Sequence, residues 1–175
     1  TEEGSMLYNE AKDLLQQRTM LISRFINPGQ KVLRIGASTI PAGYIVPVVL
    51  SRFKKSHPNI LVEIEEQNSY DTIKRISMRK VDAGIVGMKT EDENCEFRPI
   101  YQDEFVFITP NIPYYQQLKK SKPSLKRLAQ EPLIVRESGS AVKHNMDMML
   151  QSSDIAPESL HIVTSMNNIE VIKRL

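Results

Sequence analysis

Arg34-Ile35-Gly36-Ala37-Ser38-Thr39-Ile40-Pro41 is the stretch of this sequence that decides the fold. It begins as a short apolar strand, passes through a glycine and two hydroxyl side chains, and enters a helix that starts at a proline. Such a turn leaves free backbone N–H groups at the helix start, where they can bind an anion or a polar molecule. The alternative is an ordinary strand-to-helix turn in which Ser38 or Thr39 only caps the helix. The segments around this stretch bear on that choice.

Alternating strands and helices follow. In the first half, the predicted strands are residues 32–35, 60–65, 82–87, 97–101 and 104–109, and the predicted helices are residues 41–56 and 69–78. In the second half, the predicted strands are residues 133–135 and 160–163, and the predicted helices are residues 140–151 and 167–175. This order of parts is typical of mostly parallel sheets covered by helices. We therefore expect an α/β protein with two lobes of similar construction, residues 31–109 and 110–175.

A long helix is predicted before the first strand, over residues 5–26, because Leu7, Leu14 and Leu21 recur every seven positions. At 1.5 Å per residue it is about 33 Å long, and residues 27–30 are expected to end it. The helix either packs on the surface of its own domain or pairs with a helix of a partner, and the seven-residue spacing favours pairing. We assign residues 1–30 to a linker or dimerisation helix.

The strand-to-helix turns are the candidate binding residues. In open parallel sheets, ligands bind outside the carboxyl ends of the strands, so two facing lobes would bring their turns to one cleft. The turns are Ser38-Thr39, Gln67-Asn68-Ser69, Gly87-Met88, Arg136-Glu137-Ser138-Gly139-Ser140 and Thr164-Ser165-Met166-Asn167. Four of them carry hydroxyl or amide side chains at a predicted helix start, which suits a small anion or a polar metabolite. Arg136 either adds a fixed charge or forms a surface ion pair with Glu137 or another carboxylate.

Charge and composition indicate a soluble globular protein. The net charge of +2 comes from 23 basic and 21 acidic residues that are interspersed, so this part of the protein is not expected to contact DNA. No apolar run approaches the roughly 20 residues that span a bilayer, and the first residues do not resemble a signal peptide. The single cysteine, Cys95, lies among carboxylates that favour the neutral thiol. A reducing cytoplasm and no membrane partner fit these features best.

Nothing in the sequence indicates catalysis. His57, His144 and His161 fall on three different predicted elements without the spacing of metal ligands. P-loop, GxGxxG and GxSxG motifs do not occur in the sequence. The carboxylates of Glu63, Glu65 and Glu66 lie along one predicted strand. They indicate a solvated face of that strand rather than an acid–base pair. We therefore expect no catalytic residue, no metal site and no cofactor other than a bound small molecule or anion.

Taken together, these segments resemble the effector-binding region of LysR-type transcriptional regulators, and the resemblance runs from Thr1 to Leu175. The residues that carry it are the start of the chain with its long helix, Ile35 to Pro41, the helix end at His57-Pro58, Asp82 to Gly87, and Asp103 to Pro110. The resemblance implies a two-lobed fold like that of type 2 periplasmic-binding proteins, preceded by the linker helix through which such regulators dimerise. In that family the chain continues beyond a helix such as 167–175, so the second lobe is expected to be truncated here.

The resemblance also implies a site and partners. An inducer would be held by Ser38, Thr39, Ile40, Asn68, Ser69, Gly87, Ser138, Gly139 and Ser165. The Ala-Ser-Thr-Ile-Pro sequence at 37–41 is similar to that of members tied to sulfur, cysteine or selenium metabolism, which implies a sulfur-containing effector or a small oxyanion. The protein would be a cytoplasmic homodimer or homotetramer that contacts DNA only through a winged helix-turn-helix domain preceding Thr1. The alternative is a solute-binding protein of the same fold with no link to transcription.

Overall fold

The computed structural model describes residues 1–26 and 31–175, and its strands and helices alternate along most of the chain. The strands are β1 Lys31–Ser38, β2 Ile60–Gln67, β3 Ala83–Ile85, β4 Leu133–Arg136 and β5 Ile162–Met166. The α-helices are α1 Glu2–Ile26, α2 Val46–Ser56, α3 Ser69–Ser77, α4 Pro113–Lys120, α5 Leu125–Leu128, α6 Ala141–Gln151 and α7 Ile169–Ile172. A π-helix, Pro41–Ile45, precedes α2, and a 3-10 helix, Pro157–Ser159, precedes β5. The expected helix end at residues 27–30 lies outside the described residues.

Two parallel sheets form the framework of the two lobes. The first has the strand order β2-β1-β3, and β1 pairs with β2 along its whole length, from Lys31 opposite Ile60 to Ser38 opposite Gln67. The second consists of β4 and β5. All pairings are parallel, so the carboxyl ends of the strands in each sheet lie at one edge. The expected alternation of strands and covering helices is confirmed.

Close packing of α3 on the first sheet explains the glycine in the stretch Arg34 to Pro41. A Cβ atom added to Gly36 would lie 2.9 Å from the Cγ2 atom of Thr72 on α3. On β3, a Cβ atom at Gly84 would also overlap a side chain of α3, that of Ile76. Thr72 is fully buried, and Ile73 beside it is 4% exposed. The glycines therefore let the helix backbone approach the sheet closely.

Replacing Gly36 with alanine is expected to lower the free energy of unfolding by about 1–3 kcal/mol, the usual cost of overpacking a well-packed site. The new methyl group would press on Thr72, which has no free space to move into. Urea unfolding followed by circular dichroism measures the change. The control is Gly43→Ala, because no atom lies within 4 Å of a Cβ atom at Gly43. Equal midpoints for the two variants would contradict the packing argument.

The second lobe has its own small apolar core. Its buried members are Ala129, Leu150, Ile155 and Leu160, with Leu125, Leu133 and Met146 packed against them. The methionines of α6 are expected to fill this core. Met146 does so, whereas Met148 is 58% exposed and lies on the other side of the helix. Because β4 and α6 both pack on this core, it fixes the turn between them.

Residues 97–112 differ from the prediction. The strands expected at 97–101 and 104–109 do not form, and their apolar side chains are exposed: Tyr101 by 75% and Val106 by 64%. A strand needs a hydrogen-bonded neighbour, and in the described part of the chain no strand lies beside this segment. After this segment comes α4, which begins with Pro113 at a first-turn position.

The long N-terminal helix is confirmed as α1, Glu2–Ile26. The leucines of its seven-residue pattern are exposed: Leu7 by 70%, Leu14 by 66% and Leu21 by 56%. The alternative that the helix packs on its own domain through these leucines is therefore wrong. At the other end of the chain, the helix expected over 167–175 is limited to the four residues of α7.

Candidate functional site

A cavity of about 40 Å³ lies between the two lobes. The chain that lines it comes from the carboxyl ends of β1 and β4 and from the starts of three helical segments, those that begin near Thr39, at Ser69 and at Ala141. The lining residues are Ser38, Thr39, Ile40, Pro41, Asn68, Ser69, Gly87, Arg136, Ser140, Ala141 and Val142. The expected convergence of strand-to-helix turns from both lobes is therefore present.

The predicted site residues fall into two groups. Those that line the cavity are Ser38, Thr39, Ile40, Asn68, Ser69 and Gly87. Those that do not are Ser138 and Ser165, which are exposed, and Gly139, which is half-buried at the edge of the cleft. Ser140 lines the cavity and belongs to a turn that was predicted to reach the cleft. Pro41, Ala141 and Val142 were missed, although their place in the first turn of a helix is a signal for such a site. Whether any of these residues holds a ligand stays a prediction.

The wall from the first lobe begins at Ser38, the last residue of β1, which is 5% exposed. Helical backbone begins at Thr39. Ser38 and Thr39 were considered as side-chain caps of this helix, but no side-chain capping bond forms there. Instead, Thr39 Oγ1 accepts a hydrogen bond from Arg136 across the cleft. Among the described residues nothing hydrogen-bonds the Ser38 hydroxyl, so it is available to a ligand in the cavity.

The start of α3 contributes a second part of the same wall. Asn68 caps the helix, because its Oδ1 atom accepts a hydrogen bond of 2.8 Å from the backbone N–H of Asp71. Its Nδ2 atom donates to Asp71 Oδ2 at 2.8 Å, so both the oxygen and the nitrogen of the amide already have a hydrogen-bond partner. Ser69 is 1% exposed and its Oγ accepts a bond of 3.3 Å from the backbone N–H of Gly87. The ends of β2 and β3 are joined in this way.

Arg136 and Ser140 form the wall from the second lobe. Arg136 is the last residue of β4 and is 5% exposed. Ser140 directly precedes α6 and is 4% exposed, but its side chain forms no capping bond. The guanidinium donates from Nε to Glu137 Oε2 at 2.8 Å and from Nη2 to Glu137 Oε1 at 3.1 Å. The ion pair with Glu137 that was left open for Arg136 is present, but its guanidinium is buried beside the cavity and not at the surface. That Arg136 supplies a charge to a ligand stays a prediction.

The two lobes touch directly beside the cavity. The backbone N–H of Tyr70 donates to the carbonyl oxygen of Gly139 at 3.2 Å. Gly139 has a φ of +85°, which favours glycine, and a Cβ atom there would lie 3.1 Å from the Oδ1 atom of Asn68. A Cβ atom at Gly87 would lie 2.9 Å from the Cβ atom of Ala141. The small residues Gly87, Gly139 and Ala141 therefore allow the two lobes to lie close to each other.

A second contact between the lobes lies at the protein surface. Tyr44 Oη donates to Glu170 Oε1 at 3.1 Å, and Lys173 Nζ donates to Tyr44 Oη at 3.3 Å. Hydrogen bonds from Lys173 and then from Tyr44 lower the pKa of Glu170, while the bond to Glu170 raises the pKa of Lys173. All three side chains are exposed, so their contribution to stability is small.

The remaining reactive side chains do not form a further site. The carboxylates expected to line a solvated face of β2 pair with arginines: Glu63 with Arg34 at 3.0 Å, and Glu65 with Arg75. Burial, and secondarily Asp92, raises the pKa of the Cys95 thiol, in line with the neutral thiol expected. Within residues 1–26 and 31–175, no group of three or more His, Cys, Asp or Glu side chains could hold a metal ion. The helices in these ranges include none whose length and apolar character would let it cross a membrane.

The sequence and the shape of the chain were compared with known proteins. Residues 27–175 match the family described as LysR substrate binding domain. The HTH-type transcriptional regulator CysL of Bacillus subtilis (strain 168) is 25% identical over 173 residues, which cover 97% of this chain and 57% of that protein. The uncharacterized HTH-type transcriptional regulator YeiE of Escherichia coli (strain K12) is 30% identical over 152 residues, which cover 86% of this chain and 50% of that protein. The chain thus spans about half the length of the curated relatives it matches.

Solved structures share its fold. The effector binding domain of QuiR, solved in complex with shikimate, superposes with a TM-score of 0.65 at 20% sequence identity, over 81% of this chain and 66% of that chain. At this level of identity the likeness concerns the fold alone. It confirms the expected two-lobed α/β architecture of the type 2 periplasmic-binding class.

Proposed function

We propose, because this chain belongs to the family of LysR substrate binding domains, that it is the effector-sensing part of a transcriptional regulator. A small anion held between the lobes would control DNA binding by a winged helix-turn-helix domain of the same protein. The named relatives are HTH-type transcriptional regulators, which supports this function over that of a free-standing solute-binding protein. The proposal includes a cytoplasmic location, no enzymatic activity and no cofactor besides the effector.

The convergence of three helix starts on one cavity is the observation that carries the proposal. Helix N-termini present unpaired N–H groups and a positive dipole end, and both favour an anion. The buried Arg136 side chain adds a positively charged group, and Ser38 adds a free hydroxyl. Since a water molecule needs about 10–15 Å³, the cavity has room for about three waters. These features favour a small oxyanion, sulfur-containing by the resemblance of residues 37–41, over a large aromatic acid.

Signalling would follow from a preference of the ligand for one arrangement of the lobes. A ligand that binds the closed arrangement more tightly shifts the protein toward it. The direct contacts between lobes, such as that of Tyr70 with Gly139, belong to that arrangement. We propose that α1 passes the change to a second copy of the chain, because the leucines at 7, 14 and 21 lie exposed at heptad spacing. The protein would then be a homodimer or a homotetramer.

Thermal-shift measurements with sulfate, thiosulfate, O-acetylserine and shikimate test the proposal. A ligand that binds only the folded protein raises its melting temperature. We expect Ser38→Ala to bind the active compound about tenfold more weakly, because a hydrogen bond to a charged group is lost. Ser152→Ala is the matched control: Ser152 is exposed at the end of α6, and among the described residues its hydroxyl bonds only the carbonyl of Met149.

Two results would contradict the proposal. If no compound in a panel widened to other small acids and sugars raised the melting temperature of the wild-type chain, the sensing function would be wrong. If Ser38→Ala and Ser152→Ala responded as the wild type does, the ligand would bind elsewhere than in the cavity between the lobes.

A further inference from the structure

Arg136 lines the cavity and is at the same time paired with Glu137. Two parallel hydrogen bonds, of 2.8 and 3.1 Å, join the guanidinium to the carboxylate. The Arg136 side chain is only 4% exposed, and that of Glu137 is 26% exposed. Bidentate pairs of this kind are the strongest polar contacts between side chains. Yet burying such a pair adds little net stability, because both charges lose water.

In the described part of the chain, the remaining edge of the guanidinium has only a weak protein partner. Nη2 also donates to Thr39 Oγ1, at the long distance of 3.5 Å. Nη1 forms no hydrogen bond to any of the residues that the structure describes, and it is not among the buried atoms left without a partner. Arg136 is one of the residues that line the cavity. A ligand that enters the cavity would therefore lie beside the Arg136 side chain.

Glu137 is free to leave the pair. It does not line the cavity, a quarter of its side chain is already exposed, and within the described part of the chain its carboxylate bonds only Arg136. Rotation into solvent would therefore cost its carboxylate no other contact. The guanidinium would then present its two-donor edge to a second anion.

We propose that Arg136 takes the anionic group of the ligand and that Glu137 is an internal competitor for the same guanidinium. This inference rests on the proposed function and deepens it. An oxyanion or carboxylate entering the cavity exchanges with the Glu137 carboxylate on Arg136. Glu137 thereby sets the affinity of the site and restricts it to ligands with a full negative charge, since an uncharged ligand cannot replace a carboxylate on a guanidinium.

Sulfate titration of Glu137→Gln tests the exchange. The substitution keeps the shape of the side chain and removes its charge, so sulfate no longer has to displace a carboxylate. We expect calorimetry at constant ionic strength to show sulfate binding about tenfold tighter than in the wild type. Dimethyl sulfone, an uncharged tetrahedral analogue, should show no gain. Glu158→Gln is the matched control, because it makes the same change of charge at an exposed residue outside the cavity.

A double variant identifies Arg136 as the receiving group. Arg136→Gln alone would leave Glu137 without its partner and could destabilise the wall. Arg136→Gln combined with Glu137→Gln removes both charges together, so the site stays neutral. We expect this variant to keep its cooperative unfolding transition and to lose the gain in sulfate affinity.

The inference is wrong if sulfate binds Glu137→Gln no more tightly than the wild type, if Glu158→Gln shows the same gain, or if the double variant retains it. In those cases the sensing function still stands, provided that the wild-type chain responds to any compound of the thermal-shift panel. If the wild type binds no member and Glu137→Gln binds sulfate, the competition between Glu137 and an anion is supported. If neither binds sulfate, the inference fails.

Discussion

Replacing Leu150 with alanine is expected to lower the free energy of unfolding by about 3 kcal/mol, within the range found for leucine truncation in well-packed cores. Leu150 is 2% exposed and packs with Ala129, Ile155 and Leu160 at the centre of the second lobe. Its truncation removes apolar contacts and leaves a cavity that the short β4–β5 sheet cannot close. Urea unfolding followed by circular dichroism provides the measurement.

Met148→Ala is the control for this loss, because Met148 lies on the same helix and is 58% exposed. Its truncation removes a side chain of similar volume from a solvent-facing position, so we expect a change below about 0.5 kcal/mol. A loss of equal size in both variants would mean that this small core does not hold α6 on the sheet. In that case the placement of Ser140 and Arg136 on either side of the turn would need another explanation.

The fold was predictable where neighbouring residues decide it. The switch from strand to helix after Ser38 is encoded locally by alternating apolar residues, a glycine and a proline. The segment 97–112 has equally strong strand residues but remains without strand structure. Strand formation there depends on a hydrogen-bonding partner, whose position along the chain the side-chain pattern of the segment does not encode. Local propensity is therefore reliable for the central strand β1 and not for this segment.

In the candidate site, too, the sequence predicts the position of some residues and not of others. Ser69 and Gly87 follow parallel strands of one sheet, so topology alone brings them together. Ser165, by contrast, does not follow a strand: β5 continues to Met166, and Ser165 pairs with Val135 inside the sheet. Ser138 precedes Gly139, whose positive φ redirects the chain before the helix begins. The exact ends of strands and the dihedral angles of turns depend on packing, which a single sequence does not specify.

Arg136 illustrates why charge pairs resist prediction. Its neighbour in sequence, Glu137, made an ion pair plausible, but whether that pair would lie at the surface or at a binding cavity depends on the other lobe. Thr39, 97 residues away in the sequence, accepts a long hydrogen bond of 3.5 Å from the guanidinium across the cleft. Such a contact follows from how the two lobes meet, not from any spacing along the chain.

The two lobes lie so close together at Gly87 that we expect a larger side chain there to have a large effect on ligand binding. Gly87→Val is expected to weaken sulfate binding by about 30-fold, which corresponds to about 2 kcal/mol of steric cost. A Cβ atom at Gly87 would already lie 2.9 Å from Ala141 Cβ, and valine adds two further methyl groups. Ala141 sits in the first turn of α6 and cannot move without the helix. The overlap would be relieved by separating the lobes, which takes Arg136 away from Thr39.

Calorimetric titration with sulfate measures this loss of affinity. Unfolding in urea shows whether the loss comes from the contact between the lobes or from a destabilised core. Because the overlap lies between the lobes and not within either core, the free energy of unfolding should change far less than after Leu150→Ala. Ala141→Gly in the Gly87→Val background removes the opposing Cβ atom and should recover part of the affinity. If Gly87→Val bound sulfate as tightly as the wild type, approach of the lobes at this point would not be needed to hold the anion. If affinity fell but Ala141→Gly restored none of it, the valine would act on the ligand directly and not through the spacing of the lobes.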